Sequence, residues 1–528
     1  MRCVIMLLAQ ASLVMATPMA SIVGKISKDV IVNTPLDGFI SYSIEFSSFP
    51  DFADNIGDLA GVKPYIRVGG NTQDFAIYNS DLKIALNGTY NLSRSADYPT
   101  TIEIGPSYFE SYSTWPKVKF SHGFNLGGNN DDRQWDTLLA TAALACKAIG
   151  KDKLYFWEYG NEPDLFSGAV RPSNWTETEY VAEWLNGTRH VYYVFREKCP
   201  ELGNETFGWL APSFAGTNNH LKAPLVWTDG LNEDNDVRIF SSHNYISGAE
   251  SPGVTLQGTL MNHSSTVRSI AAHLSENSSL PLGAGTPYIL GETNSLYHQG
   301  RPGLSNSFGA AMWAIDFALY AAVVGIGRVH FHMGTDYRYA SWQPIDTDKT
   351  SIGTKAPYYG NIAAAAFLGK AGTRVAQVPL AGPQVNPETD VAYAAFDENN
   401  KLSRILALNM HAYNYTLNGT GSLGSLNPVQ RPVRGYTFAG VHAESTQATV
   451  RRLRANGSDA VTGITWDGYS YNYELDYGKP VKLDNVTTGE TLQVVNGSIH
   501  VPVQDSEVII LDFAPPPQSS QTPTPVVR

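Results

Sequence analysis

The sequence predicts an α/β protein, a (β/α)8 TIM barrel with a C-terminal antiparallel β-sandwich domain. The first observation is that eight short apolar runs alternate with helical segments. The second is that polar groups suited to chemistry fall at the carboxyl ends of these runs, where such barrels carry their active sites. The third is a change to closely spaced strands near residue 371. The eight predicted barrel strands are residues 39–44, 64–68, 118–122, 155–159, 207–211, 237–241, 288–290 and 328–332.

Helical patterns separate the later strands. Apolar residues between the third and fourth strands recur at helical spacing and predict a helix with one buried face. A longer helix follows the fourth strand, and a last helix is predicted over residues 356–369. The two buried faces comprise Trp135, Leu138, Leu139, Ala142, Cys146 and Ile149 in the first helix, and Tyr180, Val181, Trp184, Leu185, Val191, Val194 and Phe195 in the second.

Composition and pattern also indicate the domain boundaries. Residues 35–370 are assigned to the catalytic barrel, and residues 20–34 together with 371–513 to the β-sandwich. In the second part, apolar runs such as 392–396 are separated by turns rich in Asn, Gly and Asp, without a strong helical pattern. Residues 514–528 are rich in Pro, Ser and Thr, so we expect a disordered tail.

Charge and the N-terminus restrict the partners and the compartment. The chain has 528 residues, of which 43% are hydrophobic, and a net charge of −12, which argues against a nucleic-acid partner and against a basic groove for a polyanion. Residues 1–16 have the pattern of a signal peptide, and no later run reaches membrane-spanning length. We therefore expect a secreted, extracellular protein without a membrane partner.

Sequons and cysteines agree with passage through the secretory pathway. Once the signal peptide is removed, Cys146 and Cys199 remain, and in an oxidising compartment a pair is expected to form a disulfide. We identify no cluster of metal ligands and expect no cofactor. The predicted glycosylation sites are Asn87, Asn91, Asn174, Asn186, Asn204, Asn262, Asn277, Asn414, Asn418, Asn456, Asn485 and Asn496.

Two glutamates follow predicted strands and are the candidate catalytic residues. The run Tyr155 to Tyr159 is followed by Gly160 and then by Glu162, and a second apolar run leads to Glu292. Two carboxylates at the ends of two barrel strands are the groups that glycoside hydrolysis requires. A lone Asn-Glu-Pro sequence would equally suit a loop turn, so the second strand and glutamate carry the assignment.

Several motifs resemble those of glycoside hydrolases. Asn161-Glu162-Pro163 and Gly291-Glu292 are similar to the strand-four and strand-seven ends of the clan A retaining enzymes, which implies that Glu162 is the acid/base and Glu292 the nucleophile. The resemblance is closer to family 79, the β-glucuronidases and heparanases, from about residue 20 to about residue 513. The motifs that carry it are Ser43-Ile-Glu-Phe46, Arg67-Val-Gly-Gly-Asn71, Ser242-His-Asn-Tyr245 and Tyr297.

Side chains near the two glutamates are assigned supporting roles. The resemblance implies that Asn161 binds the sugar 2-hydroxyl, although a strand-end Asn bonded to backbone is the alternative. Tyr245 ends the sixth strand and can donate a hydrogen bond to Glu292. His243 either supports this arrangement or is a core histidine. Arg67 is either a charge partner in the barrel mouth or part of an ion pair below it.

A uronic acid substrate requires a group that recognises its carboxylate. From charge alone, Arg301 and Arg338 are candidates. The resemblance implies instead that Tyr337 and backbone N–H groups just after the nucleophile hold the carboxylate. The loop concerned contains Tyr297, His298 and Gln299. The heparanases have two glycines where this chain has His298 and Gln299; the backbone donors survive that change, whereas the loop geometry need not.

Together these features predict a secreted retaining exo-β-glucuronidase that releases terminal glucuronic acid, or its 4-O-methyl form, from glycans. Glu45 matches an acidic residue that binds a distal sugar hydroxyl, which suits a terminal sugar. The alternatives are a heparanase-like endo-β-glucuronidase, another clan A enzyme such as a β-xylosidase or β-glucosidase, and a carbohydrate-binding protein on a hydrolase fold. A basic open cleft would favour the endo enzyme, and loss of either glutamate would favour the binding protein.

Overall fold

The structure is a computed structural model that describes residues 21–27, 32–52, 63–128, 132–202, 207–281, 285–417, 419, 425–441 and 445–513. The predicted signal peptide and C-terminal tail lie outside these ranges, as do the sequons at Asn204 and Asn418. Within the described ranges, no helix combines the length and apolar character needed to cross a membrane.

Eight parallel strands close into a barrel in the order of the chain, and the last strand pairs with the first. The two longest strands run past His243 and Glu292 because they pair with each other along most of their length. The predicted fold class is therefore confirmed. The barrel strands are β1 (Ile40–Glu45), β2 (Tyr65–Gly69), β3 (Lys119–Phe124), β4 (Leu154–Tyr159), β5 (Trp209–Phe214), β6 (Val237–Gly248), β7 (Tyr288–Tyr297) and β8 (Val329–Met333).

Six helices follow β3 to β8, one after each strand. Most of the predicted apolar face of the first helix is buried, and the second helix begins with a capping box formed by Thr176 and Glu179. These helices cover the outside of the barrel with their apolar faces. They are α1 (Gln134–Lys153), α2 (Glu177–Lys198), α3 (Ala223–Thr228), α4 (His263–Ser279), α5 (Phe308–Val323) and α6 (Ala356–Leu368).

The connection between β2 and β3 differs from the expected strand–helix alternation. Its described residues form a three-stranded sheet and a 3-10 helix, Pro106–Ser113, instead of an α-helix. The reason is that apolar residues here alternate with polar ones, as in a half-buried strand, and Ile102 and Ile104 are buried. The three strands are Ala76–Tyr78, Leu86–Thr89 and Thr101–Ile104.

The C-terminal part contains two packed sheets. The N-terminal strand Ser21–Lys25 belongs to the smaller sheet, where it pairs in parallel with Val433–Ala439, an exception to the predicted antiparallel order. The other strands of this sheet are Leu380–Ala381 and Ser498–Gln504. The larger sheet contains Arg374–Gln377, Asp390–Phe396, Leu402–Asn409, Gln447–Arg454, Thr465–Trp466, Tyr469–Ser470, Val481–Lys482, Glu490–Gln493 and Glu507–Asp512.

The central strands of the larger sheet are buried on both faces. Tyr393 and Ala395 belong to the core that continues into the barrel, whereas Ala392 and Ala394 belong to the core between the two sheets. Tyr393 also donates a 2.8 Å hydrogen bond to Asp316 of α5. Because successive strand residues point to opposite faces, this one sheet joins the barrel to the sandwich.

The predicted disulfide is present. Cys146 lies in α1, and Cys199 immediately follows the end of α2, so the bond joins two neighbouring helices of the barrel wall. The two cysteines are 53 residues apart in sequence and both are buried.

We predict that replacing both Cys146 and Cys199 with serine lowers the free energy of unfolding by about 4 kcal/mol, because the open loop gains entropy in the unfolded chain. Denaturant titration of the wild type and the double variant would measure the change. Alkylation of the unfolded wild type without reductant should add no label. Two added labels, or an unchanged unfolding midpoint in the variant, would contradict the prediction.

Candidate active site

A polar cavity of about 960 Å³ opens at the carboxyl ends of the barrel strands. Glu162 and Glu292 both line it. One carboxylate oxygen of Glu162 lies within 4.8 Å of one carboxylate oxygen of Glu292. The stretch Leu92 to Tyr98, from the connection between β2 and β3, forms part of its wall. The barrel therefore brings together the two glutamates that the sequence places on separate strands.

Glu162 follows the end of β4 in a left-handed conformation, with φ of 54°. Its backbone N–H donates to the carbonyl of Ser213 on β5 at 2.9 Å, and its Oε1 lies 2.9 Å from Nδ1 of His243. Burial raises the pKa of Glu162, and the negative charge of Glu292 raises it further. The carboxyl is thus held in the protonated form, as a general acid requires.

Glu292 lies in the opposite electrostatic environment. Arg67 donates to its Oε2 at 2.6 Å, Tyr245 donates to its Oε1 at 2.7 Å, and Nδ1 of His332 lies 3.5 Å from Oε2. Burial by itself would raise the pKa of Glu292, but the positive charges beside it and the hydrogen bond from Tyr245 outweigh burial and lower it. Because burial lowers the pKa of His243 to about 4, that ring is neutral near pH 7, and Arg67 and His332 supply the charge.

Arg67 is the centre of the hydrogen-bond network. Its guanidinium donates to both oxygens of Glu158 at 2.7 and 2.9 Å, to Glu292 at 2.6 Å, to Asn161 at 2.7 Å and to Ser43 at 2.9 Å. A guanidinium has five N–H donors, so all of them are used. Arg67 therefore forms ion pairs with both Glu292, the candidate nucleophile, and Glu158.

Asn161 is fixed by its side chain and by its backbone. Its Oδ1 accepts from Arg67, which leaves the amide nitrogen as the free end, 3.5 Å from Oδ1 of Asn71. Its backbone N–H donates to Asp74 at 2.7 Å, and Asp74 also accepts from the N–H groups of Leu126 and Gly127. The side chain is thus bonded to Arg67 instead of to backbone, and its amide N–H donors suit a sugar hydroxyl.

Glu45 and Tyr337 lie together at another side of the cavity. Tyr337 donates to Oε2 of Glu45 at 2.9 Å, while the backbone and hydroxyl of Thr72 donate to Oε1 at 2.9 and 2.6 Å. His332 lies 3.5 Å from Glu45 through its Nε2. Its pKa is lowered by burial but raised more strongly by Glu292 and Glu45, so the ring favours a charge between two carboxylates.

The loop after β7 keeps the backbone shape that glycine favours. His298, Gln299 and Gly300 have φ values of 62°, 59° and 78°, all in the left-handed region. Neither His298 nor Gln299 donates its backbone N–H to a partner among the described residues, and both line the cavity with Tyr297. Two adjacent free N–H groups in such a turn form a site for an anion.

Arg301 and Arg338, the two arginines considered as ligands of a uronate carboxylate, differ in position. Arg338 lines the cavity, but its guanidinium is bonded to Asp97 at 2.7 Å and to the carbonyl of Gly300 at 3.2 Å. Arg301 is exposed and lies outside the cavity lining. Neither arginine therefore has a guanidinium free to read a carboxylate in the cavity.

Three buried charged or titratable residues of the site were not identified from the sequence. Glu158 lies within the apolar run of β4, and an acid in a buried strand was a signal for a buried cation partner. His332 lies one residue before the end of β8, and its position near a strand end was a second signal. Asp74 lies in an irregular segment and carried no comparable signal.

Comparison with known proteins agrees with this geometry. Residues 392–510 match the glycosyl hydrolase family 79 C-terminal beta domain. A β-glucuronidase of Neurospora crassa is 53% identical over 501 residues, covering 86% of this chain and 88% of the relative. A β-glucuronidase of Aspergillus niger is 49% identical over 504 residues, covering 90% of this chain and 91% of the relative.

A solved structure has the same fold. It is the 4-O-α-L-rhamnosyl-β-D-glucuronidase of Fusarium oxysporum in complex with Rha-GlcA, with a TM-score of 0.72 and 24% identity, covering 93% of this chain and 99% of the other. The barrel, the sandwich and the paired carboxylates define a glycoside hydrolase. The extent of identity to the two fungal relatives shows that the chain belongs to glycoside hydrolase family 79.

We predict that Tyr245→Phe moves the acid limb of the kcat/KM profile upward by about one pH unit. The phenol stabilises ionised Glu292 through a charge-assisted hydrogen bond, so its loss raises the pKa of the nucleophile. The alkaline limb, set by Glu162, should stay in place. Initial rates across pH would measure both limbs.

Tyr297→Phe is the matched control, because Tyr297 lines the same cavity without a hydrogen bond to either carboxylate among the described residues. Both limbs should be unchanged in this variant. An unmoved acid limb in Tyr245→Phe would show that Tyr245 does not set the pKa of Glu292.

Proposed function

We propose that the chain is a retaining exo-β-glucuronidase that releases terminal β-linked glucuronic acid from glycans. The observation that carries the mechanism is the distance of at most 4.8 Å between one oxygen of Glu162 and one of Glu292. Carboxyl groups of retaining enzymes lie about 5–5.5 Å apart, whereas inverting enzymes leave room for a water. The names of the two close fungal relatives support the sugar assignment.

In the first step, Glu292 attacks the anomeric carbon and forms an ester with it, while the glycosidic C–O bond breaks. The proton of Glu162 passes to the leaving oxygen, so the aglycone departs as an alcohol. Arg67 and Tyr245 keep Glu292 ionised until attack. The amide of Asn161 donates to the sugar 2-hydroxyl, a contact that strengthens in the transition state.

In the second step, the roles of the two glutamates change. Once Glu292 is esterified its negative charge is gone, so the pKa of Glu162 falls. Glu162, now a carboxylate, takes a proton from water while the water oxygen attacks the anomeric carbon. The ester bond breaks, Glu292 is released as a carboxylate, and glucuronic acid leaves with its β configuration retained.

The wall at residues 92–98 supports action on chain ends. Asp97 binds Arg338 at 2.7 Å and Lys349 at 3.5 Å, which ties this wall to the segment after β8. Glu45 and Tyr337, which are hydrogen-bonded to each other, line the cavity together with this wall. A cavity closed by this wall accommodates a terminal sugar better than the middle of a glycan chain.

The loop after β7 is the proposed site for the uronate carboxylate. The free N–H groups of His298 and Gln299 can donate to it, and the left-handed backbone aims neighbouring donors at one point. Tyr337 stands nearby, but its proton is bonded to Glu45. We therefore assign the carboxylate mainly to the backbone groups, and assign Tyr337 to holding Glu45.

We also propose that the protein is secreted and glycosylated. The disulfide is typical of an oxidising compartment. The asparagines of three sequons, Asn262, Asn277 and Asn414, are half-buried. The exposed sequons among the described residues are Asn87, Asn91, Asn174, Asn186, Asn456, Asn485 and Asn496.

We predict that Glu162→Gln and Glu292→Gln each remove most of the activity on an unactivated glucuronide without unfolding the protein. Sodium azide should partly restore turnover in Glu292→Ala and give an α-glucuronosyl azide, because a small anion replaces the missing nucleophile in a single inverting step. NMR of the product reads its configuration. Turnover near that of the wild type in either Gln variant would exclude this mechanism.

We predict that nitrophenyl β-glucuronide is cleaved with a kcat/KM about 10⁴-fold above that of the β-glucoside, because a hydroxymethyl group leaves the loop donors unpaired. Gln299→Gly should keep this selectivity, since glycine retains the N–H and suits the positive φ. Steady-state kinetics on both substrates measure the ratio. Comparable values in the wild type would leave the two-glutamate mechanism standing and refute the uronate site.

A further inference from the structure

A second groove lies beside the catalytic cavity, and of its lining residues the steps above use only Tyr245. Its volume is about 440 Å³, and it is lined by the segment after β5, residues 243–247 of β6 and one face of α4. The face of α4 contributes Ser265, Arg268, Ser269 and Ala272, spaced three or four residues apart as on one side of a helix. The small side chains among them leave the groove open.

The groove is on the leaving-group side of the site. A general acid protonates the leaving oxygen, so the aglycone must lie next to Glu162. The N–H of Glu162 is bonded to Ser213, and Asp164 accepts from the N–H of Ala215 at 2.8 Å, so the segment after β5 adjoins the acid. Ala215 and Gly216 line both the cavity and the groove, and form the boundary between them.

The lining of the groove includes buried polar side chains. Asn244 is 6% exposed, and its Oδ1 accepts from Ser269 at 2.9 Å and lies 3.1 Å from Nε2 of His273. Its Nδ2 has no partner within the described part of the chain, and neither has Nε2 of His243, the residue bonded to Glu162. Both atoms are enclosed by protein, so the polar contacts open to a ligand come from the rim of the groove.

The rim of the groove is also polar. Arg268 is exposed, donates to Ser265 at 2.9 Å and has no acidic partner among the described residues. Thr217 and Thr259 add hydroxyl groups, and Tyr245 is the one phenol ring in the lining. Hydroxyls and a guanidinium suit a chain rich in hydroxyl groups better than an aryl group.

We propose that this groove is the subsite for the glycan chain that carries the terminal glucuronic acid. The chain leaves the catalytic cavity over Gly216 and places its second and third sugars against α4, where Arg268 donates to their hydroxyls. The inference rests on the proposed function, because it takes Glu162 as the acid that releases this chain. It adds the position of that chain, so cleavage of an oligosaccharide glucuronide should depend on the groove, whereas cleavage of a small aryl glucuronide should not.

The test compares substitutions of two exposed alanines of α4 that are adjacent in sequence. Ala272 lines the groove and Ala271 does not. The substrates are nitrophenyl β-glucuronide and glucuronic acid β-linked to a neutral tetrasaccharide. In Ala272→Trp, we expect kcat/KM on the tetrasaccharide glucuronide to fall about 10-fold, equivalent to about 1.4 kcal/mol, with the nitrophenyl substrate within twofold. In Ala271→Trp both values should stay within twofold.

An equal loss in both tryptophan variants, or no loss in Ala272→Trp, would overturn the proposal. Arg268→Ala provides a second variant with no added bulk, and it should lower only the value for the tetrasaccharide glucuronide. If the wild type cleaves neither substrate, the proposed function fails, and calorimetric binding of the free neutral tetrasaccharide still tests the groove. Binding that is lost in Ala272→Trp and kept in Ala271→Trp supports the subsite, whereas no binding to the wild type refutes it.

Discussion

The five hydrogen bonds of the Arg67 guanidinium connect four strands of the barrel. Ser43 lies on β1, Arg67 on β2, Glu158 and Asn161 on or just after β4, and Glu292 on β7. Burying these groups separately would cost several kcal/mol each, because every charge would lose its water. Together they satisfy one another, so the position of the nucleophile depends on the closure of the whole barrel.

The surroundings of Glu162 and Glu292, the proposed catalytic pair, shift their pKa values in opposite directions. Glu292 has a guanidinium, a phenol and the imidazole of His332, whose pKa is raised, within reach, whereas Glu162 has the neutral ring of His243 and the charge of Glu292 itself. When the surroundings raise the pKa of one carboxyl and lower the pKa of the other, the first carboxyl is assigned as the acid and the second as the base or nucleophile. The same coupling explains how one residue can serve as acid and then as base.

The segments around the barrel shape what can reach these carboxyls. The wall at residues 92–98 belongs to the connection that replaces an α-helix after β2, and Asp97 holds it against the segment after β8. Gly216, in the segment after β5, lines both the cavity and the groove beside α4. The larger sheet of the sandwich, packed on α5 and α6, supports the barrel from outside the site. The barrel thus provides the chemistry, and the connections decide the direction of the substrate.

The sequence by itself determined the barrel strands, the sandwich, the disulfide and the two glutamates, because each depends on a local pattern of apolar residues, turns or cysteines. It did not reveal Glu158 as a partner of Arg67, although the two form a bidentate pair. Nor did it show that His298 and Gln299 keep a left-handed backbone. Only the tertiary structure decided these points, because strand closure and chain packing set the distances between side chains that are far apart in sequence.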